Sequence, residues 1–110
     1  MRFAFAGVAH GLRGERSLRT QVAMLLAVLV ALLILRPAPV WWALVALASS
    51  TVLAAELFNT AIEHLSDHLH PDVHPQIRIV KDCAAAAVLI SSAGAVGVAI
   101  ALVVELLHRS

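Results

Sequence analysis

The sequence predicts an all-α integral membrane protein with three transmembrane helices and an N-terminal amphipathic surface helix. Three observations predict it. The 110 residues are 61% hydrophobic and only 14% charged, too little polar surface for a soluble domain of this length. The mean hydropathy is +0.90. The charged residues gather between three apolar runs rather than being spread along the chain.

The elements follow in order. Residues 1–19 carry Phe3, Phe5, Val8, Leu12 and Leu18 among Arg2, Arg13, Arg16 and Arg19, the composition of a helix lying in the headgroup zone. A charged stretch before an apolar run also resembles a signal peptide. "RPAP" at 36–39 is a poor cleavage site and further apolar segments follow, so the first run is expected to be retained. Neither end carries a lipidation motif. The first span is expected over 20–36, with no charge between Arg19 and Arg36. It is short for a bilayer core of about 30 Å, and the two arginines can snorkel. "RPAPVWW" is a tight turn with an interfacial tryptophan pair. The second helix is expected over 39–69: apolar at first, then polar as it leaves the membrane. "HPDVHPQI" is a turn, and the third span is expected over 79–107. Ala84, Ala85, Ala86, Ala87, Gly94 and Gly97 give that span a smooth side suited to close helix contact.

Three spans place the ends on opposite sides of the membrane. Arg2, Arg13, Arg16 and Arg19 precede the first, and Arg78 and Lys81 precede the third. Both regions favour the cytoplasm, so the N-terminus is expected inside and the C-terminus outside. A net charge of +1 argues against a nucleic-acid partner. The single cysteine, Cys83, allows no intramolecular disulfide and reads as a small buried thiol.

Chemistry concentrates in "AAELFNTAIEHLSD". Glu56, Asn59, Glu63 and Asp67 are spaced three, four and four apart, which puts them on one helical face. A carboxylate as deep as Glu56 needs a partner or a task, and a general base is one such task. Glu63 can hold a divalent cation with another oxygen ligand. Asn59 can both donate to and accept from a hydroxyl-bearing substrate, and Ser49, Ser50 and Thr51 lie earlier on the same helix, in its apolar part. Lys81 and Asp82 begin the next helix at the same membrane surface, with lysine suited to a phosphate. Carboxylates for an ion, a cation for phosphates and a base for the acceptor are the groups of Mg–nucleotide chemistry. Charged helix ends are common, however, and Lys81–Asp82 alone could be an ordinary interfacial pair. His64, His68, His70 and His74 lack the thiols and the HExxH spacing of a zinc site. There is no P-loop and no dinucleotide fingerprint.

"AELFNTAIEHLSD" and "VKDCAAAAV", about a dozen residues apart, together with "GLRGERSLR", resemble the signature of the small bacterial integral membrane kinases, the prokaryotic diacylglycerol kinases and the similar undecaprenol kinases. The likeness covers almost the whole chain and implies a single membrane kinase domain over 1–110. It implies a homotrimer in the bacterial inner membrane, with active sites between subunits at the cytoplasmic edge. ATP is then co-substrate and Mg²⁺ the metal. Glu56 matches the catalytic base. Glu15 and Glu63 match the carboxylates that hold the metal and position ATP. Asp67, His74, Lys81 and Asp82 match nucleotide-site positions, and Asn59 matches a lipid-side position, with Ser50 a further lipid-binding candidate. Leu18 replaces the family's usual phenylalanine and Gln21 a glutamate of the enterobacterial type. An early nucleotide-binding arginine has no equivalent unless Arg2 serves. The "HPDVHPQIRIVKD" loop looks more like the undecaprenol-kinase branch. The resemblance implies transfer of the ATP γ-phosphoryl group to a lipid alcohol, diacylglycerol first and undecaprenol second. A helix-gluing scaffold or an ion-conducting oligomer with Glu56 in its path are the readings from other classes.

Overall fold

The computed structural model describes residues 2–7, 16–69 and 74–109, with the first three of the middle segment as backbone only. Residues 2–7 are helical (α1). Three long helices follow: α2 over Arg16–Leu35, α3 over Pro39–Leu69 and α4 over Pro75–Arg109. No strand forms among the described residues. Of the N-terminal surface helix expected over 1–19, residues 8–15 lie outside the described residues. In α1 Phe3 and Phe5 are exposed, and the Arg2 guanidinium stacks over the Phe3 ring at 5.3 Å.

Proline and one left-handed residue set the helix ends. Arg36 has φ 49°, and its N–H donates to the Leu32 carbonyl at 2.8 Å. It closes α2 in a conformation that normally favours glycine and that costs a side-chain-bearing residue about 1–2 kcal/mol. Pro37 then bars continuation. Pro39 and Pro75 each occupy the first position of a helix, where the missing N–H is no loss and φ is already set.

α3 has 31 residues and α4 has 35; at 1.5 Å per residue they run about 46 and 52 Å. Both are long and apolar enough to cross a membrane. The apolar stretch of α2, Arg19–Leu35, is shorter. α3 is the central element and packs mainly on α4, less on α2. Burial is scarce. Leu32, Val45, Val52 and Ala84 are buried, with Pro37 of the α2–α3 turn, whereas Leu89, Ile90, Ile100 and Leu107 stand on the outside. In water that surface would drive aggregation. In hydrocarbon it is solvated, and the helices are held by van der Waals packing rather than by expulsion of water. Cys83 is exposed, contrary to the buried thiol the sequence suggests, because α4 is covered on one side only.

Candidate active site

The buried positions of α3 are Val45, Val52, Glu56 and Ser66. At 100° per residue these fall on one stripe, and Asn59, Glu63 and Asp67 fall on it too. The stripe facing the bundle is therefore apolar along its first half and polar from Glu56 onward. Glu56 is 9% exposed although it carries a carboxylate. Asn59 lies one turn further, half-buried, with its Oδ1 buried and accepting no hydrogen bond within the described structure. Glu63 and Asp67, one and two turns on, are exposed. From Glu56 to Asp67 is eleven residues, about 16 Å along the axis. Ser66, only 4% exposed, was not singled out from the sequence. Its place on the stripe could have revealed it.

α4 brings its first two turns to the exposed end of this stripe. The Lys81 ammonium donates to Asp67 Oδ1 at 2.6 Å, across fourteen residues of chain. With the two side chains 37% and 67% exposed, the pair contributes only ~0–1 kcal/mol of stability. Its effect is geometric. Side chains lean toward the N-terminus of their helix, so Lys81 reaches outward from α4 to meet Asp67. Asp82, the next residue, is exposed. His74 stands at the start of α4: its carbonyl accepts from the Arg78 N–H at 2.9 Å, and its Nδ1 accepts from the Gln76 N–H at 3.1 Å. Ser50 is exposed on α3 and donates to the Leu47 carbonyl at 3.0 Å, a carbonyl that also accepts from Thr51 at 2.7 Å. This is how a hydroxyl in hydrocarbon finds a partner within its own helix. Glu15 lies outside the described residues, as does His70.

Among the described residues no group of three or more His, Cys, Asp or Glu side chains gathers as a metal cage. The donors that do share the stripe are hard oxygen atoms: the Glu56 and Glu63 carboxylates and the unpartnered Asn59 Oδ1. Glu56 and Glu63 stand seven residues apart, about 10 Å along the axis, so they do not share one ion; the exposed Glu63 carboxylate is the one that fits Mg²⁺, which takes one or two carboxylates plus substrate phosphates.

Beyond Glu56, toward the other end, the three helices part around an apolar groove of about 420 Å³. Its walls include Leu25, Val28 and Leu32 of α2, Val52 of α3, and Ala99 and Val103 of α4; Gln21 and Ser49 are its polar members. Glu56 and Asn59 do not line it. The groove stops at Leu53, one turn short of Glu56.

Two long apolar helices, a short apolar companion and a carboxylate buried where the apolar stripe turns polar define a helical membrane protein with its chemistry at one end. The chain belongs to the prokaryotic diacylglycerol kinase family, whose model matches residues 2–103. It is 36% identical over 96 residues to the diacylglycerol kinase of Synechocystis sp., covering 86% of this chain and 55% of that protein. It is 32% identical over 84 residues to the undecaprenol kinase of Bacillus subtilis, covering 76% of this chain and 68% of that one. The chain thus spans about half the length of the first relative and two thirds of the second.

Proposed function

We propose that this chain phosphorylates a membrane lipid alcohol with ATP, and that diacylglycerol is the acceptor. The observation that carries this is the burial of Glu56 where the apolar stripe of α3 becomes polar. A hydroxyl that stays at headgroup depth on its acyl chains meets a proton acceptor there. The acyl chains lie in the groove beyond Leu53, and Asn59 orients the hydroxyl by donating from its side-chain amide N–H to the hydroxyl oxygen, which leaves the hydroxyl proton for Glu56. The hydroxyl oxygen attacks the γ-phosphorus as its proton passes to the Glu56 carboxylate. The bond from that phosphorus to the β,γ-bridging oxygen breaks, and ADP leaves. Glu63, with Glu15 of the N-terminal segment, would hold Mg²⁺, which when bound would supply charge neutralisation to the phosphates. Lys81, with Asp82 beside it, meets the polyphosphate by exchanging Asp67 for a phosphate oxygen.

The protein acts as a homotrimer of three-span subunits in the bacterial inner membrane, its N-terminus cytoplasmic. Arg19 in the first turn of α2, and Arg78 with Lys81 in the first turns of α4, put positive charge at one end. A Cβ built at Gly94 or Gly97 meets nothing within 4 Å, which leaves that side of α4 open to a second copy. Undecaprenol is the second acceptor, favoured by the larger share of the Bacillus relative that this chain covers.

The test is purified protein in lipid with labelled ATP and a panel of diacylglycerol, undecaprenol and ceramide. Labelled phosphatidic acid is the expected product. Undecaprenyl phosphate instead would move the chain to the other branch. ATP left intact with every alcohol, or Glu56-dependent ion flux across liposomes, would remove the kinase reading.

A further inference from the structure

We propose that Gln21 is a specificity-determining residue of the acceptor site: its side-chain amide donates to an ester carbonyl of the lipid alcohol and so favours diacylglycerol over an alcohol without esters. This selection rests on the kinase reading of the Glu56 end. Gln21 and Ser49 are the polar residues in the walls of the apolar groove. Gln21 is half-buried, and its side-chain amide makes no hydrogen bond among the described residues. An amide side chain carries two N–H donors and one carbonyl acceptor. Leaving all of them unpaired against hydrocarbon is unfavourable, unless the occupant of the groove supplies a partner.

Depth decides which part of the occupant meets Gln21. α2 and α3 run antiparallel through the short turn at 36–38. Gln21 lies fourteen residues before the last residue of α2, and Leu53 fourteen residues after the first of α3, each about 21 Å from the turn. The two therefore stand level, and both line the groove at its inner mouth. Glu56 is three residues beyond Leu53, about 4.5 Å further along the axis. Ser49 is one turn deeper than Leu53, at a level that only hydrocarbon reaches. In diacylglycerol the ester carbonyls lie a few bonds from the free hydroxyl, where the head group meets the acyl chains. A molecule with its hydroxyl at Glu56 and its chains in the groove brings its esters past Gln21. An ester carbonyl can only accept, so the Gln21 N–H donates. The ester gives up interfacial water as it enters between the helices, and the amide replaces the lost bond. A polyprenol has the hydroxyl and the hydrocarbon but no carbonyl, and it leaves the amide unpaired.

A matched pair of lipids isolates this one bond. One is a 1,2-diacylglycerol. The other is the 1,2-dialkylglycerol of equal chain length, in which ethers replace the esters and the hydroxyl is kept. The readout is the ratio of kcat/KM for diester over diether. Gln21→Met and Gln21→Leu both remove the donor, and each is expected to lower that ratio about fivefold from the parent's, the scale of one net hydrogen bond. Damage to the fold lowers turnover of both lipids alike, so the ratio reads the bond and not the fold. A second measurement needs no turnover. The same two lipids, carrying a diazirine in one chain, are irradiated with the protein in nanodiscs, and labelling of α2 and α3 is mapped by mass spectrometry. The diester-to-diether labelling ratio should fall by the same factor in the variants. Either variant keeping the parent's ratio overturns the proposal. A parent that phosphorylates no lipid alcohol removes the proposed function instead, and the labelling ratio then decides by itself whether Gln21 reads an ester.

Discussion

The two ends of the α3–α4 pair use opposite means to hold three helices together. At the Val45–Val52 end, α2, α3 and α4 enclose an apolar groove with two polar residues in its walls. Nothing there but shape distinguishes one hydrocarbon occupant from another. At the Glu56–Asp67 end the same face of α3 carries five polar side chains, one of them a buried carboxylate and one the partner of Lys81 in an ion pair. Lipid tails are as apolar as the groove, so filling it gains little transfer free energy. A buried carboxylate in the same environment is expensive unless it has a partner or a task. The groove end can therefore tolerate change that the Glu56 end cannot.

Substitutions at the two ends should differ by orders of magnitude. The largest effect falls on Glu56. Glu56→Gln keeps the volume and removes the proton acceptor, and we expect turnover to fall roughly 10²–10⁴-fold with the thermal unfolding midpoint in detergent little changed. Turnover within tenfold of the parent would break the assignment. Next is Lys81. Lys81→Met should lower kcat/KM for ATP by about 10² if the ammonium stabilises charge on the phosphates. Asp67→Asn should cost only a few-fold, because it loosens Lys81 without removing it; a loss as large as that of Lys81→Met would make Asp67 a ligand in its own right.

The groove comes third. Ala99→Phe narrows it, and we expect KM for a long-chain diacylglycerol to rise about threefold, since only dispersion contacts are lost. A short-chain analogue should be unaffected. An equal rise for both would show that the hydrocarbon lies elsewhere. The smallest effect is at the α2–α3 turn. Arg36→Gly relieves the left-handed conformation and should leave activity alone while raising unfolding stability by at most about 1 kcal/mol, measurable as a small upward shift of the midpoint.

Much of this was legible in the sequence for identifiable reasons. The polar positions 56, 59, 63 and 67 repeat with helical spacing inside an apolar run, and that period survives into the structure because a helix in hydrocarbon must satisfy its own backbone. Pro39 announces the start of α3 because proline fixes φ. Three features were less legible. Ser66 looks like any small polar residue until the wheel of α3 is known to face the bundle. His74 matches a nucleotide-site position by resemblance, and the sequence gives no sign that its Nδ1 accepts from the Gln76 N–H at the start of α4. Arg36 gives no hint of its positive φ, because arginine rarely adopts it and the following Pro37 only marks a stop.

The sequence by itself determined that the chain is helical and membrane-suited, that it belongs to a lipid kinase family, and which face of α3 carries its polar groups. Composition and period are local properties, and each helix expresses them alone. Tertiary structure decided which of those polar groups meet. That Lys81 reaches Asp67, that Glu56 is enclosed while Glu63 is not, and that α2 leaves a groove before α4 all depend on how the helices cross. Crossing is set by van der Waals fit among apolar surfaces, and no single segment of sequence encodes it.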